Sequence, residues 1–179
     1  MPSARHKLYL AYGSNLHPHR LEERVGRVEL LGNIALSGWS LRFDKRGSDG
    51  SAKANLHAAV GQSCNAFAAV YRLDSRQVLI LDGFEGCGWG YETFPMTVSI
   101  RGNAVDGFTY LAPSQWITPA MVPFDWYLRL VLEGARFHGF PERYIDEITN
   151  QTARRDPDAG RARAALDTLN LSIPAHYER

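Results

Sequence analysis

The strongest constraint in this chain is a change of rhythm at Pro113. Before it, short apolar runs are separated by clusters of Gly, Ser, Asn and Asp, the pattern of strands and tight turns. After it, apolar residues recur at helical spacing. Residues 7–12 form an apolar-aromatic run that ends at Gly13-Ser14-Asn15, a first strand entering a turn. Residues 17–24 are polar with one Leu and predict a short helix behind a Ser/Asn cap and Pro18. Residues 28–43 alternate as strands broken at Gly38, and the Gly/Ser-rich 46–52 must be a loop. Residues 54–60 and 66–73 read as strands separated by Gly61-Gln62-Ser63. A short helix is predicted over 74–81 behind an Asp74 cap, and a hairpin over 93–100 and 105–112 around Arg101-Gly102-Asn103. The later helices fall at 124–138, with Leu128, Val131, Leu132 and Ala135 on one face and a Gly139 stop, then at 141–149, then at 157–170. In the last, Ala162, Ala165, Leu166 and Leu169 are in register.

Strands first and helices later predict an α+β fold with a mixed, mostly antiparallel sheet. At 179 residues, with no internal repeat and no convincing linker, the expectation is one domain over 1–179. Its core would run over about 7–150, with a C-terminal helix at about 157–170. Hydrophobic residues at 45% and charged residues at 22% suffice for a sizeable core. Lys+Arg 20 against Asp+Glu 19 leaves no basic field for a phosphate backbone, so no nucleic acid is expected as a partner. Two cysteines, Cys64 and Cys87, cannot make a disulfide framework, and no paired spacing supports a zinc site. The first apolar run is too short for a signal-peptide core, and none reaches membrane-spanning length. The expectation is a reduced, cytoplasmic protein without a membrane anchor.

Phosphate-loop, dinucleotide-binding, zinc-protease and serine-hydrolase signatures are all missing from the sequence. Three local constellations remain. The first is Tyr12-Gly13-Ser14-Asn15-Leu16, where a Gly directly after a strand lets backbone approach a ligand, and Ser14 and Asn15 can cap the next helix. Its free N–H groups would make an anion or oxyanion site; an ordinary strand–turn–helix cap accounts for the same residues. The second runs from Asp82 to Tyr91, where Glu85 stands among Phe84, Trp89, Tyr91 and four glycines. A carboxylate held against aromatic walls has its charged form disfavoured, which suits general acid–base work; the competing reading is a Gly-rich surface loop with a solvated Glu. The third is Phe124-Asp125-Trp126-Tyr127, mostly core helix, with Tyr127 able to offer a hydroxyl.

Other chemistry is less well supported. Asp82 and Glu85 are too close in sequence to face each other across a sugar, and Asp82 reads as a turn cap. Cys87 has neither an evident base, such as His57 or His138, nor a source of lowered pKa, and reads as a small packed residue. His17-x-His19 has no third ligand in view and reads as a solvated helix start, so no metal site is expected.

Taken together, these residues resemble the γ-glutamylcyclotransferase (AIG2-like) family. The Tyr-Gly-Ser-Asn-Leu opening stands at residues 12–16, the Leu-Asp-x-x-Glu-Gly segment at 81–86 with Tyr91 after it, and a late Tyr127 precedes Gly134-Ala135 and Gly139-Phe140-Pro141. The stretch from Phe43 to Leu56 is similar to bacterial members, and the pieces keep the family's order from about residue 8 to 150. Cys87-Gly88-Trp89-Gly90 departs from the pattern, on the side of the leaving group. The resemblance implies a β-barrel-like sheet flanked by helices. It also implies a small-molecule γ-glutamyl substrate cyclised to 5-oxoproline with release of an amine, and neither metal nor cofactor. Glu85 would be the acid–base carboxylate. Tyr12, Gly13, Ser14, Asn15 and Leu16 would hold the γ-glutamyl group, with Tyr91 and Tyr127 in the pocket, in a monomer or homodimer. Glutathione metabolism is one setting this implies. The alternatives are a binding or interaction domain on the same scaffold without turnover, and an enzyme trimming γ-glutamyl groups from a biosynthetic intermediate.

Overall fold

A computed structural model describes residues 6–59 and 64–178. Val60 and the Gly61-Gln62-Ser63 turn expected after the fourth strand lie outside the described residues.

The first apolar run becomes β1 (Lys7–Ala11), the middle strand of a five-stranded sheet. Its buried residues Tyr9, Leu10 and Ala11 are consecutive, as expected of a strand covered on both faces. β1 pairs antiparallel with β5 (Asn65–Leu73) and parallel with β7 (Asn103–Leu111). β2 (Glu29–Ser37) and β6 (Glu92–Ile100) are the edges, giving the order β2-β5-β1-β7-β6. The sheet is thus mixed and mostly antiparallel, curled as a half-barrel. β6 and β7 close on Arg101-Gly102, both at positive φ, the geometry that matches strand twist in a two-residue hairpin. At Gly38, with φ 78°, the chain leaves β2 for β3 (Trp39–Arg46), which pairs with β4 (Ala52–Ala58) as a separate ribbon.

Among the described residues, five α-helices flank the strands. α1 (Pro18–Val25) and α2 (Ser75–Glu85) pack together, the latter opened by the expected Asp74 in a reciprocal capping box with Gln77. α3 (Asp125–Phe137) buries more than the expected stripe: Trp126, Tyr127, Leu130 and Gly134 join Leu128, Val131 and Ala135, while Leu132 is only partly buried. α4 (Glu142–Thr149) and α5 (Ala159–Asp167) pack against or near α3. The tail returns as a 3-10 turn at Ala175–Tyr177, where fully buried Tyr177 donates its hydroxyl to Asp125 and accepts from the Asp156 N–H at 2.8 Å. Asp156, wholly buried, also accepts from Trp126 Nε1 at 2.7 Å and from both Arg161 Nε and Nη2 at 2.7 and 2.6 Å.

Candidate active site

The turn after β1 and the end of α2 meet at one cavity. Its lining comprises Tyr9, Tyr12, Gly13, Ser14, Asn15, Ala54, Glu85, Tyr91, Tyr110 and Tyr127. Seven of the eight site residues expected from sequence, Glu85 among them, therefore share it; Leu16 does not. Leu16 is fully buried against α3, where an added Cβ at Gly134 would lie 2.4 Å from its own Cβ. Tyr71 Oη donates to the Leu16 carbonyl at 2.6 Å, and His138 Nε2 lies 2.7 Å from the same oxygen. Leu16 thus anchors the turn from behind.

Several local expectations need correction. Ser14 and Asn15 do not cap α1: His17 does, accepting the His19 N–H at 3.3 Å, so the helix start stands beyond the turn. The Leu16 N–H closes on the Gly13 carbonyl at 3.1 Å and is not free for an anion. Glu85 is the last residue of α2, not part of a loop, because the helix continues through Gly83 and stops at Gly86 in the left-handed conformation. Asp82 is not a turn cap; inside α2 it accepts the Tyr110 hydroxyl at 2.6 Å. Phe84 and Trp89 are exposed and do not line the cavity of the tyrosines, and Cys87 is exposed rather than packed.

The walls are tyrosines from other elements. Tyr12 donates to the Tyr110 carbonyl at 2.6 Å, and Tyr91 donates to the Ala54 carbonyl at 2.6 Å. Tyr127 accepts the Ala54 N–H at 3.0 Å, and Tyr9 accepts from Asn15 Nδ2 at 3.1 Å. Tyr9 and Tyr127 thereby keep their own protons to donate. Burial holds all five phenols protonated: it raises the pKa of Tyr9, Tyr12, Tyr91 and Tyr110, and pushes Tyr127 up to about 12.

Glu85 is the one carboxylate in the lining. Its Oε1 accepts from Asn15 Nδ2 at 2.8 Å and from Arg24 Nη1 at 3.3 Å, while Arg24 Nη1 also donates to Asn15 Oδ1 at 2.9 Å. Every hydrogen bond to this carboxylate from the described residues uses Oε1, which leaves Oε2 for a ligand. The Glu85 and Arg24 side chains are only 14% and 18% exposed, so the pair is shielded enough to hold its orientation.

Arg24, Tyr9 and Tyr110 were missed by sequence reasoning. Arg24 follows buried Leu21 by three residues, which places both on one side of α1; that spacing was the available signal. Tyr9 and Tyr110 lie inside apolar strands, with nothing local to separate them from core.

Residues 65–148 match the AIG2-like family. No curated protein matches the sequence. Among solved structures, one named gamma-glutamyl cyclotransferase aligns with a TM-score of 0.75 at 18% identity, covering 97% of this chain and 96% of that one. The uncharacterised human protein loc79017 aligns at 0.74, with 18% identity over 97% and 96%. YkqA from Bacillus subtilis aligns at 0.69, with 18% identity over 83% of this chain and 56% of that one. At that identity the structural likeness establishes the fold. The match over residues 65–148 is thus to the AIG2-like family, and the fold of the whole chain is that of the γ-glutamylcyclotransferases.

Proposed function

We propose that the protein is a γ-glutamylcyclotransferase-type enzyme that closes a γ-glutamyl group to 5-oxoproline and releases the attached amine. The observation that carries this reading is Glu85, pinned through Oε1 by Asn15 and Arg24 while lining a cavity of neutral phenols and turn backbone. With the five tyrosines held protonated, Glu85 is the one carboxylate of the lining and takes the acid–base role in this reading.

The chemistry is intramolecular and needs little beyond placement and proton movement. The substrate's α-ammonium gives a proton to Glu85 Oε2. The freed amine attacks the γ-carbonyl carbon, forming the ring C–N bond. The carbonyl oxygen then carries negative charge, which the hydroxyl protons of Tyr9 or Tyr127 and the turn amides of Gly13 to Asn15 can stabilise. When the tetrahedral centre collapses, the old C–N bond breaks, Glu85 returns its proton to the departing nitrogen, and the ring nitrogen gives up its second proton, so that the products are the neutral lactam and the amine as its ammonium. Tyr91 and Tyr110 serve the site indirectly, by fixing Ala54 and α2.

The test is mass-spectrometric detection of 5-oxoproline from a panel of γ-glutamyl amino acids, γ-glutamylamines and glutathione. The wild type should form product, and Glu85→Gln should lose about 10²–10⁴-fold in turnover while keeping its fold. Equal turnover by Glu85→Gln contradicts the assignment.

A further inference from the structure

Glu85 also borders a second recess, of about 540 Å³, with no tyrosine in its lining; Lys45, Arg46, Trp89 and Trp116 are among its walls. Lys45 reaches it because β3 loses its alternation. The pairing with β4 shifts register between Phe43 and Lys45, and Phe43, Asp44 and Lys45 are all buried in succession. Only 9% of Lys45 is exposed, its Nζ sits 4.6 Å from the centre of the Tyr91 ring, and a Cβ at Gly90 would come within 3.0 Å of it. Among the described residues no carboxylate lies within 4.0 Å of this ammonium, whereas Lys53 nearby is paired with Asp49 at 2.6 Å. Burial lowers the Lys45 pKa, with Glu85 pulling it back up from a distance. A buried cation without an anion beside it carries an uncompensated desolvation cost. The rim is aromatic and open: Trp89 is 83% exposed and Phe84 is exposed beside it.

We propose that this recess receives the leaving amine and that Lys45 is its specificity-determining residue, binding a carboxylate carried by that amine while Trp89 covers an apolar side chain. The inference rests on the cyclisation reading above and narrows it: the preferred leaving group is an amino acid or peptide rather than a simple amine. Glu85 stands between the two spaces, as a residue must that takes a proton from the γ-glutamyl side and gives it to the departing nitrogen. Arg46, exposed at the same recess, adds positive charge at its mouth.

The discriminating pair is γ-glutamyl-phenylalanine and γ-glutamyl-phenethylamine, which differ by the leaving group's carboxylate. For the wild type, kcat/KM should favour the first by about tenfold or more, the scale of one charge-assisted contact. Lys45→Met should collapse that ratio toward one, and Lys45→Arg should restore part of it. A wild type without preference, or a Lys45→Met variant that keeps it, overturns the proposal. If neither compound yields 5-oxoproline, calorimetric titration of both into the wild type and Lys45→Met separates the claims. Tighter, Lys45-dependent binding of the carboxylate compound then retains the recess as a carboxylate site and refutes cyclisation. Equal binding, or none, overturns the recess.

Discussion

Gly134 is where α3 presses on the turn that carries the site, and Gly134→Ala makes that contact measurable. The new Cβ would stand 2.4 Å from Leu16 Cβ, 3.0 Å from the His17 nitrogen and 3.3 Å from the Leu16 carbonyl carbon. Carbon atoms rest at ~3.5–4.0 Å, so the helix and turn must part by roughly 1 Å. Two of the three opposing atoms are backbone, and Leu16 is fully buried, so no flexible side-chain end can absorb the shift. Overpacking of this kind costs about 1–3 kcal/mol. Replacing Gly by Ala inside a helix returns up to about 1 kcal/mol. The net expectation is a loss of roughly 1–2 kcal/mol, or about 2–8 °C in thermal midpoint for a chain of this size. Circular-dichroism melting of the two proteins at equal concentration measures it. A variant that melts at or above the wild-type temperature refutes the reasoning, since helix propensity would then outweigh a contact that is not as tight as described.

Three further outcomes follow from the same geometry. Gly13→Val should weaken substrate binding with little change in melting, because even its Cβ comes within 3.1 Å of Ala54 Cβ and 3.6 Å of the Tyr127 hydroxyl; unaltered affinity by calorimetry would count against the turn as a binding element. Asn15→Ala should cut kcat by about 10–100-fold, the scale of one hydrogen bond to a charged group, with the folded circular-dichroism spectrum retained. A loss of fold rather than turnover would reassign Asn15 to structure. For Asp156, burial alone would raise the carboxyl pKa, but the bonds from Arg161, the Asp158 N–H and Trp126 outweigh it and leave the pKa lowered. A depressed folded pKa gives stability that is present above the unfolded value, about 3.9, and is lost as pH falls through the folded one. The wild type should therefore lose more stability than Asp156→Asn in denaturant titrations carried below about pH 4, and parallel pH profiles would refute the contribution.

How far the molecule was legible in its sequence depended on how local each signal was. The strands and helices were marked by turn residues and periodicity within a few positions: Gly38 between β2 and β3, Arg101-Gly102 between β6 and β7, Asp74 before α2. The mixed pairing of β1 with β5 and β7 is non-local, and only the class of sheet was readable. At the candidate site, Tyr12 to Asn15 were visible because they are contiguous and follow a strand. Glu85 was visible for a partly mistaken reason, since Phe84 and Trp89 face solvent and four of the five tyrosines around the cavity arrive from β1, the turn after it, β7 and α3. Arg24 and Lys45 were hidden more deeply. The first joins Glu85 only because α1 packs on α2, and the second turns inward through an irregularity in the β3–β4 ladder. No window of sequence contains either relationship.

The central claim is that the γ-glutamyl group leaves as a ring rather than being hydrolysed. It is tested most directly by measuring all three possible small products, 5-oxoproline, glutamate and the free amine, from one γ-glutamyl substrate in the same reaction. Cyclisation predicts 5-oxoproline and amine in equal amounts, with no glutamate above the enzyme-free control and with both products lost in Glu85→Gln. Glutamate in step with the amine would mean that water, not the substrate's own nitrogen, attacks the carbonyl, and would contradict the mechanism built on Glu85.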